Sequence, residues 1–379
     1  MALVLNEDQT LLVESARGFL AENAPVSAFR KLRNERSEDG FSRALWKELA
    51  DMGWAGVLVD EDKGGSGFGF VGAGLIAEEM GRTLTATPFL STSVLAATAF
   101  SKFASSAMQA EHLPKIASGA ALYALAVDEG RKHAPEKTAL RAEKSGNGFS
   151  LSGEKTFVAD GAAADKIIVA ARTSGAKGET KGITLFLVDA KAKGVARERT
   201  EMVDSRNAAR IRFDKVEATG EDVIGAVDDG HGALEGVLSA GRAALAAEMS
   251  GSAQAAFDMT TQYLKDRTQF GRPIGSFQAL QHRAAHLYCE IELVKSVVLK
   301  ALQTLDEAFG MAGMAASLAK AKAGEVAKLA ALEGVQMHGG IGMTDEHDIG
   351  LYLKRIRVAQ EMFGDAAYHA DRFAKMRGY

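Results

Sequence analysis

Cysteine is nearly missing from this chain of 379 residues, where Cys289 stands alone. No internal disulfide and no cysteine cluster for a metal can form, and a reducing compartment, the cytoplasm, is the expected location. Proline is scarce as well, with five residues in all, so little interrupts long helices. Neither charge sign dominates: 45 Lys and Arg stand against 49 Asp and Glu, a net −4, which leaves no basic excess for a nucleic-acid face. No run of about eighteen apolar residues occurs, so no membrane-spanning helix is expected. The segment Met1 to Leu20 mixes Glu7, Asp8 and Glu14 among its apolar residues, which is not the pattern of a secretion signal. A Gly-x-Ser-x-Gly elbow and a His-Glu-x-x-His motif are both absent, which disfavours a serine hydrolase or a zinc site of the usual spacing.

What is present is an ordinary globular composition, 47% hydrophobic and 25% charged. The length suits roughly two or three domains. Forty glycines beside so few prolines call for turns or ligand contacts. Leu11, Leu12, Val13, Ala16, Phe19 and Leu20 recur at helical spacing, and a second helix is expected from Phe41 to Met52. Trp54 to Val59 then reads as a short strand-like apolar run. In the middle of the chain, Lys155–Val158, Lys166–Ala171, Ile183–Val188 and Arg210–Phe213 are β-prone runs without helices between them, the pattern of an antiparallel sheet. From Gly232 onward, Leu234, Val237, Leu238, Leu245, Met249, Ala256, Phe257 and Leu264 trace one apolar stripe. Lys295–Phe309 and Ala315–Gln336 read as further helices. The expected fold is α+β and mainly α, with an N-terminal helical domain over 1–120, a middle antiparallel β-domain over 121–225 and a C-terminal helical bundle over 226–379.

Three motifs have plain explanations. Gly64-Gly65-Ser66-Gly67-Phe68-Gly69 lacks the spacing and the distal acidic residue of a dinucleotide fingerprint, and reads as a glycine-rich turn packed against other backbone. His338 and His347 with Asp345, Glu346 and Asp348 form the densest carboxylate–imidazole cluster; without metal-ligand spacing it reads as a solvated acidic loop, and no metal is expected. Arg206, Arg210, Arg212 and Lys215 read as a solvated sheet face. Two segments resist such readings. Arg267-Thr268-Gln269-Phe270-Gly271-Arg272-Pro273-Ile274-Gly275, followed by Phe277-Gln278, ends a long helix with a guanidinium for a phosphate and a ring for a planar base. Gln336-Met337-His338-Gly339-Gly340-Ile341-Gly342 ends another in glycines that let backbone approach a ligand. Together they point to a nucleotide-like cofactor.

These two segments resemble the signatures of the acyl-CoA dehydrogenase family of flavoproteins. The likeness runs in order over essentially the whole chain. Residues 54–67 are similar to its Gly-Gly-x-Gly corner, with Asp60 where proline is common, and Leu151–Gly161 to its Leu-x-Gly-x-Lys strand pair. The resemblance implies FAD held between domains and subunits. Arg267 would meet the pyrophosphate, with Gln269, Phe270 and Gln278 around the adenosine and Gln336, Gly339 and Gly340 completing the cradle. The flavin ring would lie by backbone near Val127, Asp128, Phe157, Val158 and Ala159. Asp128-Glu129-Gly130 replaces a frequent Thr-Glu-Pro, and Ala159 replaces a frequent hydroxyl.

The chemistry that the resemblance implies is α,β-dehydrogenation of an acyl-CoA thioester, the α-proton passing to a carboxylate and the β-hydride to flavin N5. Neither familiar glutamate is present: Gly364-Asp365 stands for the usual Glu-Gly pair, and Gly241 for the alternative position. Asp365 is the candidate base, its alternative role being to cap the following helix. The departure and the ending Phe363-Gly364-Asp365-Ala366-Ala367-Tyr368-His369 resemble a bacterial hetero-oligomeric branch that includes the small subunit of pimeloyl-CoA dehydrogenase. The implied partners are an acyl-CoA, electron-transfer flavoprotein as acceptor, and either further copies of this chain or a second acyl-CoA dehydrogenase-like chain. The alternatives are a non-catalytic FAD-binding subunit and an oxygen-using flavin oxidase or monooxygenase.

Overall fold

The structure is a computed structural model that describes residues 3–379. The first part of the chain forms α1 (Glu7–Asn23), α2 (Val26–Asn34), α3 (Arg43–Asp51), α4 (Gly69–Thr83), α5 (Ala97–Phe103) and α6 (Ser106–Ala117). Local chemistry sets several of their starts. Asn6 and Gln9 cap α1 reciprocally, Asn6 Oδ1 accepting from Gln9 N at 2.8 Å and Gln9 Oε1 from Asn6 N at 3.1 Å. Ser42 and Ser105 cap α3 and α6 through Leu45 N and Met108 N.

Trp54–Val59 is not a strand. Its backbone turns, with Val59 N donating to Gly56 O at 2.9 Å, and its apolar character serves burial instead. Gly65 folds back onto it so closely that a Cβ there would overlap Val59, the close backbone packing expected of this glycine turn.

The middle of the chain forms one sheet from β1 (Tyr123–Ala126), β2 (Arg141–Ser145), β3 (Gly148–Ala159), β4 (Lys166–Arg172), β5 (Ile183–Asp189), β6 (Val195–Arg199), β7 (Ala208–Ala218) and β8 (Val223–Ile224). The order is β6-β7-β3-β2-β4-β5-β8, with β1 beside β4. Most pairs are antiparallel, as expected, while β1 and β2 both run parallel to β4. Leu140, Leu151, Ile167, Val169, Phe186, Ile211 and Phe213 pack its core. β3 carries a register shift between Lys155 and Val158, and within it Phe157 adopts φ +52°.

The remainder is helical: α7 (His231–Asp266), a hairpin of β9 (Thr268–Gln269) and β10 (Arg272–Pro273), then α8 (Gln278–Glu307), α9 (Ala312–His338), α10 (Ile349–Glu361) and α11 (Ala366–Met376). α8 begins well before the expected Lys295. The buried face of α9 is made of small residues, among them Ala316, Ala319, Ala323, Ala327, Ala330 and Gly334, which lets neighbouring helices approach closely. At Gly334 a Cβ would lie 2.6 Å from Ile349 Cδ1 of α10. Contacts divide the chain into two compact units: Leu32–Ala73 with Ala86–Gly241, and the segment ending at Lys31 with Gly74–Thr85 and Arg242–Tyr379. Among the described residues no helix is long and apolar enough to cross a membrane.

Candidate active site

The first corner is built by the end of α7. Phe270 at φ +54° and Gly271 at φ +78° turn the chain back on itself, pairing Gln269 with Arg272. Arg267 O accepts from Ile274 N at 2.8 Å, which closes the base of the hairpin. The Arg267 side chain is exposed and pairs with no carboxylate among the described residues. Arg272 is engaged differently, its guanidinium lying 4.1 Å from the centroid of the Phe277 ring. Phe270 is 90% exposed and Gln269 and Gln278 are exposed as well, so the corner offers its ring and amides outward.

The second corner follows α9. Gln336, Gly339 and Gly340 are exposed, whereas Met337 and His338 between them are buried. Gly339 at φ +65° needs to be glycine for its backbone. Gly340 does not, and a Cβ on either residue would meet nothing in this chain. The two corners adjoin, because the Tyr263 ring near the end of α7 stacks on His338 with centroids 4.5 Å apart. His338 Nδ1 donates to Gly334 O at 2.7 Å, and the His347 ring lies against the His338 ring with centroids 4.2 Å apart. Burial holds both imidazoles below their ordinary range. The expected solvated acidic loop is thus partly interior. Asp348 pairs with Arg30, while the histidines pack inward because α7 and α9 close over them. Among the described residues no group of three or more His, Cys, Asp or Glu is arranged to hold a metal.

In the unit that contains the sheet, Val127, Asp128, Phe157, Val158 and Ala159 come together around the β3 bulge. Thr156 N donates to Asp128 O at 2.8 Å, and the Asp128 carboxylate meets His133 Nδ1 at 2.9 Å. Val158 is buried, Ala159 half-buried and the Phe157 ring 53% exposed. Two residues that the sequence reading gave no site role fasten this region. Lys155 Nζ, wholly buried, donates to Val127 O at 2.9 Å and to Glu129 Oε1 at 2.7 Å. Glu129 also accepts from Ala139 N and Leu140 N. Burial lowers the Lys155 pKa, and Glu129 opposes that shift.

The third element is the turn from α10 to α11, strained by Phe363 at φ +57° and opened by Gly364 at φ +106°. Asp365 caps α11, its Oδ1 accepting from Tyr368 N at 2.8 Å. A Cβ at Gly364 would clash with the Tyr368 ring and lie 2.9 Å from His369 Nε2, so no larger residue fits that backbone. Three buried side chains donate to the turn's carbonyls. Arg242 Nε and His369 Nε2 reach Phe363 O at 3.3 and 3.0 Å. Lys320 Nζ reaches Gln360 O and Gly364 O at 3.0 and 2.8 Å. Burial, together with the charge of Arg242, pushes Lys320 down to about 7. Sequence reasoning passed over Lys320; its only signal is a lysine within the alanine stripe of α9.

The chain thus combines helices and one sheet with two adjoining corners, one presenting an exposed guanidinium and the other open glycines. The chain belongs to the acyl-CoA dehydrogenase family: sequence models of that family's N-terminal, middle and C-terminal domains match residues 6–120, 128–216 and 228–376. FAD-dependent acyl-CoA dehydrogenation, expected from the resemblance, is the activity of the family so identified. The acyl-CoA dehydrogenase IpdE2 of Mycobacterium tuberculosis is 32% identical over 357 residues, covering 94% of this chain and 93% of that protein. A variant of the Tcur3481-Tcur3483 steroid ACAD superposes with a TM-score of 0.89 at 31% identity, covering 98% of both chains. The ChsE4-ChsE5 complex of Mycobacterium tuberculosis contains a chain at TM-score 0.88 and 25% identity, covering 100% of this chain and 99% of that one.

Proposed function

We propose that this chain serves the FAD-dependent α,β-dehydrogenation of an acyl-CoA thioester, the two adjoining corners offering contacts to the nucleotide half of the cofactor and the β3 bulge offering contacts to a flavin ring. The observation that carries this reading is Gly340, a glycine that neither its backbone nor its packing requires, beside a corner whose exposed Arg267 pairs with no carboxylate among the described residues. When bound, FAD supplies the two-electron acceptor. Arg267 offers its charge to the pyrophosphate, and Gln269, Phe270 and Gln278 surround the adenosine. Gln336, Gly339 and Gly340 leave room for the cofactor to approach backbone. Val127, Asp128, Phe157, Val158 and Ala159 offer backbone groups to the flavin ring. The three domains 1–120, 121–225 and 226–379, a cytoplasmic location and electron-transfer flavoprotein as acceptor belong to the same reading. Purified protein is expected to be yellow, oligomeric and bleached anaerobically by an acyl-CoA. A colourless monomer that cannot take up FAD rejects the reading, and peroxide formed in air marks an oxidase.

A second reading, in which the α-proton acceptor belongs to another chain, is favoured by the state of Asp365. Its carboxylate is committed to the cap of α11, and Gly364 beside it has no space for a side chain. In this reading the chain holds FAD and one wall of the acyl site, and a second acyl-CoA dehydrogenase-like subunit brings the base.

A further inference from the structure

We propose that Lys320 is a positioning residue for the dehydrogenation, setting the Glu361–Asp365 turn through the carbonyls of Gln360 and Gly364. The inference rests on the reading above, in which this turn borders the acyl group.

A buried lysine among alanines carries a desolvation cost that something must offset. Here the return is geometric. Gln360 lies in the last turn of α10 and Gly364 immediately precedes the cap of α11, so a single Nζ ties both ends of the turn. Without such a tie, the positive φ of Phe363 and Gly364 leaves the turn poorly determined by its own backbone. Among the described residues Lys320 Nζ has these two carbonyls as its hydrogen-bond partners and no carboxylate. A neutral amine has two N–H groups and matches them in number, whereas an ammonium brings a third N–H into the same buried space.

The charged and titratable groups around it decide what acid does. Arg242 reaches in from α7, Glu361 comes from α10, and Asp365, Tyr368 and His369 come from α11. Arg372 of α11 meets Ser317, almost one turn before Lys320 on α9. Arg242 disfavours the ammonium, while Glu361 and Asp365 favour it, and burial dominates. A form of the turn that lets water reach Lys320 takes up a proton more readily than the closed one, so lowering the pH toward about 7 favours opening of the turn, and below about 7 the effect is complete.

The test uses Lys320→Met and Lys320→Gln in the assembled, FAD-loaded protein. FAD content, hydrogen exchange across residues 360–369 and single-turnover flavin reduction by an acyl-CoA are followed from about pH 6 to pH 9. Both variants are expected to keep wild-type FAD content, to exchange the turn amides about tenfold faster after correction for intrinsic rates, and to reduce flavin about ten- to a hundredfold more slowly at saturating acyl-CoA. Wild type is expected to lose turn protection progressively as pH falls from about 9 toward about 7 and to level off below that, and the variants to lack this dependence. Unchanged exchange and reduction in the variants overturn the proposal. So does a flat wild-type protection profile, which needs no variant to fold. If no acyl-CoA reduces wild type, the underlying reading fails, and the exchange measurements alone decide whether Lys320 holds the turn.

Discussion

Tyr263 and His338 stack with ring centroids 4.5 Å apart, and this one contact joins two motifs that lie far apart in the chain. Tyr263 precedes Arg267 by about one helical turn and His338 immediately precedes Gly339, so the stack sets the guanidinium corner beside the glycine corner. His338 is itself oriented by Gly334 O one turn earlier in α9, which fixes the direction of its ring on the helix.

Arg267→Ala is expected to purify depleted in FAD. Losing a charge-assisted contact to a phosphate costs about 1.5–3 kcal/mol of binding. Arg272→Ala should lose less, because Arg272 is stacked on Phe277. Equal flavin-to-protein absorbance ratios in both variants and wild type would reduce Arg267 to a helix-end residue.

Gly340→Ala separates a cofactor contact from a folding requirement. Its Cβ meets nothing in the chain, so stability should stay within about 0.5 kcal/mol of wild type while FAD occupancy falls. Gly334→Ala is the counterpart. Its Cβ would crowd Ile349 and Thr260, for a cost of about 1–3 kcal/mol in denaturant unfolding, with FAD per folded protein unchanged. Full occupancy in Gly340→Ala would remove that glycine from the cradle.

Glu129→Ala is expected to destabilise by about 3–5 kcal/mol, since it strands a buried lysine and two backbone donors. The double variant with Lys155→Met should recover part of that loss. Unfolding curves that coincide for the single and double variants would mean that the ion pair is not the source of the cost.

Asp365→Asn keeps a side chain that caps well and removes the carboxylate. On the reading in which another chain supplies the base, this variant in the assembled enzyme should bind FAD, hold its stability and still bleach with acyl-CoA. Loss of bleaching with FAD and stability retained would put the base on Asp365. Asp365→Ala should lose about 0.5–2 kcal/mol through the missing cap, whichever chain carries the base.

Features with local signals were legible. An aspartate before Ala366-Ala367-Tyr368 reads as an N-cap, and the bond to Tyr368 N is there. The Gly64–Gly69 turn reads as close backbone packing, and Gly65 lies against Val59. The apolar run Trp54–Val59 misleads because burial in a turn and burial in a strand leave the same composition. The buried roles of Lys320 and Glu129 escaped notice for a different reason: a charged residue on a helix or loop is usually solvated, and only its surroundings say otherwise.

The amino-acid sequence by itself determined the helical and β-rich stretches, the capping residues, the two cofactor motifs and the absence of the familiar glutamates, since each depends on residues a few positions apart. The tertiary structure decided the rest. The stacking of Tyr263 on His338, the burial of Lys155 against Glu129 and the convergence of Arg242, Lys320 and His369 on the Glu361–Asp365 turn join segments distant in the chain. Such contacts arise only where packing excludes water and forces each buried donor to find an acceptor, a condition that no short stretch of sequence expresses.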